Sequence, residues 1–213
     1  MLDMRSVVLD HPLLAIMRKV PEEKTIPYAE AIVRGGVNFL EVAMNSPSAC
    51  EQIRMLKAHF GDDVLIGAGT AITVELVRSA LDAGAQFVLT PSTDQDVVVY
   101  CEENQIPMIP GVMTPTDVSF CVRHGFNTLK LFPAGDLPPG YIKSLKGPLD
   151  GTEYMAMGGV TPDNIAEFFR RGFIGVGIGS AILPKHCAEQ NRWEEGTAYI
   201  ADLVRRIREA GRE

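Results

Sequence analysis

Thr128-Leu129-Lys130-Leu131-Phe132-Pro133 is an apolar run of strand length with one lysine inside it. Burying an unpaired ammonium is costly, and the cost falls when the amine gives up its proton. A neutral amine is a nucleophile that attacks ketones to form Schiff bases. The competing reading is a strand end whose lysine snorkels to solvent or pairs with a carboxylate. The run alone favours that blander reading, and its place among its neighbours reverses the balance.

Seven similar runs surround it: Leu14–Met17, Asn38–Val42, Val64–Gly67, Phe87–Thr90, Met108–Pro110, Tyr154–Met157 and Gly175–Ile178. They recur every 20 to 26 residues or so, the length of one strand, one helix and two short loops. Amphipathic stretches lie between them. Residues 48–60, 74–83 and 162–171 carry Ile53, Leu56 and Phe60, then Val74, Val77 and Leu81, then Ile165, Phe168 and Phe169, at helical spacing. Glycine closes these stretches at Arg34-Gly35-Gly36, Ala83-Gly84, His124-Gly125 and Arg171-Gly172. Ser46-Pro47, Thr114-Pro115 and Thr161-Pro162 read as helix starts, each offering a capping oxygen and a preset first turn.

Eight β-α units in alternation predict an α/β fold: a (β/α)8 TIM barrel, one domain over residues 1–213. An open doubly wound sheet would carry a glycine-rich first turn, and Leu14 to Arg18 has none. Residues 1–11 read as a short N-terminal helix across the barrel floor, and residues 193–208 as the eighth helix.

The 213 residues carry a formal net charge of −7, which argues against a nucleic-acid partner. Any anionic ligand must then be held by local groups. No apolar run is long enough to span a bilayer, and no signal-peptide core is present. Cys50, Cys101, Cys121 and Cys187 form no framework, as expected of buried thiols in a cytoplasmic chain. His11, His59, His124 and His186 stand apart without metal-ligand spacing, so no metal is expected.

In a barrel, chemistry gathers at the C-terminal ends of the strands. Those ends offer Arg18, Glu41 with Asn45, Thr70, Pro91, Lys130 with Phe132, and two late glycine turns. Glu41 is the acidic twin of Lys130, a carboxylate inside an apolar strand. Alternation points Leu40, Val42, Leu129 and Leu131 outward, and Glu41 and Lys130 toward the axis. The structural alternative is a buried ion pair. The chemical one is a lysine nucleophile with a glutamate that moves protons. Gly158-Gly159 and Gly177-Ile178-Gly179-Ser180 open onto helix starts, where backbone N–H groups bind dianions.

With Leu40-Glu41-Val42, Gly67-Ala68-Gly69-Thr70, Pro110-Gly111-Val112, Leu129-Lys130-Leu131-Phe132-Pro133 and Gly158-Gly159-Val160 in order, the chain resembles the class I 2-keto-3-deoxy-6-phosphogluconate / 4-hydroxy-2-oxoglutarate (KDPG/KHG) aldolases from about Leu13 to Ile182. The resemblance implies a homotrimer without metal or cofactor, and a Schiff base between lysine and the ketone of pyruvate. It assigns the lysine role to Lys130 and the general acid/base role to Glu41. It places Thr70 near the pyruvyl carboxylate, and Gly158, Gly159, Gly179 and Ser180 at the phosphate. Many members carry an arginine where this chain has Asn45, and a threonine where it has Met157. Arg18 and Asn45-Ser46-Pro47 instead resemble the 2-keto-3-deoxy-6-phosphogalactonate aldolase branch.

The expected substrate is a phosphorylated keto acid, cleaved to pyruvate and glyceraldehyde 3-phosphate. Cleavage of 4-hydroxy-2-oxoglutarate to pyruvate and glyoxylate is a further expectation. Thr70 and Arg18 would fix the carboxylate, while Phe132 and Pro91 wall the site. Two alternatives share the barrel: a phosphosugar isomerase or epimerase with an electrostatic Lys130, and a non-catalytic sensor of a sugar acid phosphate.

Overall fold

The computed structural model describes residues 2–179 and 181–210. Its strands are β1 (Leu13–Met17), β2 (Phe39–Ala43), β3 (Leu65–Gly69), β4 (Val88–Leu89), β5 (Met108–Ile109), β6 (Gly111–Val112), β7 (Thr128–Leu131), β8 (Glu153–Met157) and β9 (Gly175–Ile178). All pairings are parallel, in the order β5-β4-β3-β2-β1-β9-β8-β7-β6. The eight expected runs all appear, and a ninth segment, β6, follows Pro110, the last residue of the fifth run. Proline has no N–H to donate, so the ladder is interrupted there. β5 pairs with β4, and β6 pairs with β7. The peptide through Pro110 joins the two ends of the sheet, and its carbonyl accepts from the Lys130 N–H at 2.9 Å. The architecture is the expected (β/α)8 barrel.

The helices are α1 (Met4–Asp10), α2 (Thr25–Arg34), α3 (Ala49–Phe60), α4 (Val74–Asp82), α5 (Gln95–Glu103), α6 (Pro115–Arg123), α7 (Tyr141–Lys146), α8 (Ile165–Arg170), α9 (Lys185–Glu189) and α10 (Trp193–Ala210). Gly36, Gly84, Gly125 and Gly172 follow helix ends with positive φ, as their sequence positions require. Thr114 caps α6 in a reciprocal box with Asp117. The other two Ser/Thr-Pro pairs do not start helices where expected. Residue 48, not Ser46, stands at the start of α3, and α8 begins only at Ile165, after a turn in which Asn164 binds the Thr161 N–H. A proline fixes only its own φ, and in both places the turn continues before the helical ladder begins.

Alternation divides the strand side chains between two cores. Leu40, Val42, Leu129 and Leu131 pack outward against the helices. Met4 and Val8 of α1 enter the barrel floor and join Leu14, Phe39, Phe87, Leu89, Ile109 and Met155 inside. The Phe39 and Phe87 rings stack with centroids 4.9 Å apart, an arrangement that adds about 1 kcal/mol beyond simple burial. Truncating either ring would cost roughly 3–5 kcal/mol. Inward glycines make room for this filling. A Cβ on Gly67 would fall 2.2 Å from Phe87, and one on Gly175 2.6 Å from Val8. The interior is therefore packed from the floor upward, and the polar groups sit above it. Among the described residues no helix is long and apolar enough to cross a membrane.

Candidate active site

Glu41 and Lys130 stand on β2 and β7, facing the barrel interior. Glu41 is fully buried and Lys130 is 4% exposed. Neither Glu41 oxygen has a hydrogen-bond partner among the described residues. An orphaned buried carboxylate is costly, and such a group marks a place where a ligand or water completes the bonding. Burial pushes the Glu41 carboxyl above its ordinary value, while the charges of Lys130 and Arg18 pull it back. Burial also lowers the Lys130 amine, opposed by the Glu41 charge and assisted by Arg18. Both shifts favour the neutral forms. The Phe132 ring covers the amine, its centroid 5.2 Å from Nζ.

A cavity of about 430 Å³ opens above this pair, lined by Arg18, Lys19, Lys130, Phe132, Met157, Gly158, Gly159 and Gly179, among others. It gathers six of the residues expected at the site: Arg18, Lys130, Phe132, Gly158, Gly159 and Gly179. Glu41 does not line it and lies in the packed interior. A larger cavity of about 500 Å³ lies at the opposite, N-terminal end, lined by Met4, Pro107 and Thr128 among others. Barrel chemistry is built at the C-terminal end of the strands, where the titratable pair lies.

The glycine turn after β8 is open toward ligands. Gly158 and Gly159 have φ of 80° and 75°, conformations that a β-carbon disfavours. The Gly158 carbonyl accepts from the Gly135 N–H at 2.8 Å, and the Gly159 carbonyl from Asn164 Nδ2 at 2.8 Å. The amides of Gly159 and Val160 donate to no partner among the described residues. A Cβ on Gly159 would fall 2.9 Å from the Gly135 Cα, so a larger residue is excluded.

The remaining expected residues stand further out. Thr70 follows β3 in a left-handed conformation, φ 57°, and is half-buried outside the cavity lining. Pro91 is half-buried beside Gly111, whose Cβ would fall 2.5 Å from the Pro91 carbonyl carbon. Asn45 is exposed and does not line the cavity. Ser180 lies outside the described residues.

Met157 and Lys19 are among the other residues that line the cavity. Met157 is 1% exposed and lies over Gly177, where a Cβ would fall 2.8 Å from its Cε. Lys19 follows Arg18 at the mouth, and in sequence it reads as an ordinary solvated cation. Elsewhere, His186, Cys187 and Glu195 bring one ligand atom each within 4.8 Å of one another. Glu195 is already engaged there by His186 and Arg192, both at 2.8 Å. Burial pushes the Cys121 thiol up to about 11, in keeping with a small core residue.

The chain matches the family described as KDPG and KHG aldolase over residues 4–199. It is 30% identical over 190 residues to 2-dehydro-3-deoxy-6-phosphogalactonate aldolase of Escherichia coli K12, covering 89% of this chain and 93% of that one. It is 33% identical over 184 residues to 2-dehydro-3-deoxy-phosphogluconate aldolase of Haemophilus influenzae, covering 85% and 84%. The structure of Legionella pneumophila KDPG aldolase, with pyruvate captured as a covalent carbinolamine, superposes with a TM-score of 0.87 at 28% identity, covering 95% of this chain and 98% of that one.

Proposed function

This chain belongs to the KDPG and KHG aldolase family, and from that premise we propose how its own residues carry out the reaction. It is a metal-independent class I aldolase that cleaves a 2-keto-3-deoxy-6-phospho sugar acid to pyruvate and glyceraldehyde 3-phosphate. The observation that carries the assignment of residues is the buried pair, Lys130 lowered and Glu41 raised, with the carboxylate unpartnered.

Neutral Lys130 attacks the C2 ketone, and loss of water from the carbinolamine gives a protonated imine. Glu41 moves the protons of that dehydration. Through a water, it then receives the proton of the C4 hydroxyl as the C3–C4 bond breaks, and the bonding electrons flow into the imine to give an enamine. Glyceraldehyde 3-phosphate leaves, C3 takes a proton, and water releases pyruvate and the free lysine. Burial keeps Lys130 neutral without a metal. Arg18 and Thr70 hold the carboxylate end. Phe132 and Pro91 shield the enamine from water. Gly158, Gly159, Gly179 and Ser180 take the phosphate through backbone N–H groups.

The working unit is a homotrimer in the cytoplasm, one domain per chain, and 4-hydroxy-2-oxoglutarate is a second substrate. Borohydride reduction in the presence of pyruvate tests the assignment. A reduced pyruvyl adduct on Lys130, seen by peptide mass spectrometry, is the expected result. An unmodified Lys130 under conditions of full turnover would overturn it. An isomerase using Lys130 as a mere charge predicts no adduct.

A further inference from the structure

Lys19 is a non-glycine residue in the left-handed region, with φ 54°. Such a conformation disfavours a β-carbon and persists only where surrounding structure fixes it. Here the fixing group is visible. The Lys19 N–H donates to Ser46 Oγ at 3.0 Å, and Ser46 is 6% exposed. Ser46 therefore serves the turn after β1 rather than capping α3. The strained turn lifts Lys19 into the rim of the cavity that Gly158, Gly159 and Gly179 also line.

Register places this turn between two neighbouring strand ends. β1 pairs with β9 through Ala15 and Ile178 and with β2 through Met17 and Val42, so the turn after β1 stands between the Gly179 turn and the loop that carries Ser46. Adjacent Arg18 acts on the electrostatics of Glu41 and Lys130. Neither cation has a carboxylate within 4.0 Å among the described residues. Arg18 is thus coupled to the reacting pair, and Lys19 stands next to it in the cavity lining. In a chain of net charge −7, a cation with no ion pair among the described residues, lining the same cavity as free amides, is a local attraction for a dianion.

We infer that Lys19 is a specificity-determining residue that binds the phosphate of the substrate, with Ser46 as its positioning residue. This rests on the aldolase reading above. It adds a side chain with a full charge to a phosphate site otherwise made of backbone, and it ties phosphate preference to the strained turn after β1.

Lys19→Gly tests it, because glycine accepts φ 54° without strain and the fold is kept. The readout is the ratio of kcat/KM for a 2-keto-3-deoxy-6-phospho sugar acid to that for 4-hydroxy-2-oxoglutarate, which carries no phosphate. The expected result is a fall in that ratio of about tenfold, borne by KM for the phosphorylated substrate, since a charge-assisted contact is lost. Ser46→Ala shifts the ratio in the same direction by less, as Lys19 loses its tether. An unchanged ratio in a Lys19→Gly enzyme with full turnover overturns the proposal and leaves the aldolase reading standing. Absence of turnover and of pyruvate trapping in the native enzyme overturns both.

Discussion

The Glu41 carboxylate fills the space that a side chain at position 69 would take: a Cβ built on Gly69 falls 1.5 Å from Glu41 Oε1. The two residues lie on paired strands, with Ala43 opposite Gly69 and Glu41 opposite Gly67. Gly69 therefore fixes where the proton carrier sits. Gly69→Ala must push the carboxylate aside, and displacement by 1 Å at a reacting centre costs about 10²-fold in rate. Turnover should fall by about that factor while far-UV circular dichroism stays native. A variant with full kcat would show that Glu41 does not act from this position.

Glu41→Gln removes a proton carrier and also a charge. Turnover is expected to fall by about 10²- to 10⁴-fold. The Glu41 charge raises the Lys130 amine against the effect of burial. Its removal lets that amine fall further, so Lys130 is neutral at lower pH. The rising limb of borohydride-trapped pyruvate adduct against pH should move down in the variant. An upward move would contradict the coupling of the two groups.

The pair costs stability in a defined pH window. Burial raises the folded Glu41 carboxyl above its ordinary 4.5, so stability is lost as pH rises through the folded value. Burial lowers the folded Lys130 amine below 10.5, so stability is lost as pH falls from that value toward the folded one. The two penalties overlap between those limits. Glu41→Gln combined with Lys130→Met should therefore abolish turnover and raise stability by about 1–4 kcal/mol near neutral pH. Urea unfolding at neutral pH, compared with both edges of the window, measures it. A gain that does not shrink toward the edges would mean that packing, not charge, is responsible.

Met157 lines the cavity at the position where the family resemblance leads one to expect a threonine. Met157→Thr introduces a donor and an acceptor beside the substrate. The ratio of kcat/KM values for the phosphogluconate- and phosphogalactonate-type epimers, followed by pyruvate release, should change by about tenfold. An unaltered ratio would place the reading of the C4 hydroxyl on other residues.

Much of this was legible in the sequence. The period-two pattern around Glu41 and Lys130 fixed their direction, since apolar neighbours had to face the helices. The recurring runs fixed the barrel. What the pattern hid was spatial. Pro110 closes the run Met108–Pro110, and only pairing shows that a further strand segment, Gly111–Val112, follows it. Ser46 looks like a helix cap before proline, and its true partner, the Lys19 N–H, lies 27 residues away. Lys19 looks like any exposed cation until its φ and its cavity are known. Asn45 and Pro91 stood near strand ends, but distance along a loop does not say which way the loop turns.

The split at Pro110 divides the ring into two arcs, β1 to β5 and β6 to β9. Glu41 belongs to the first arc and Lys130 to the second. Neither arc holds both the nucleophile and its proton carrier, so neither has the chemistry to turn over by itself. The reaction becomes possible only when the arcs meet twice, through the Pro110 peptide and along the β1–β9 edge. Turnover is thus a report that the ring has closed, and two fragments divided near Pro110 would regain it only by finding each other.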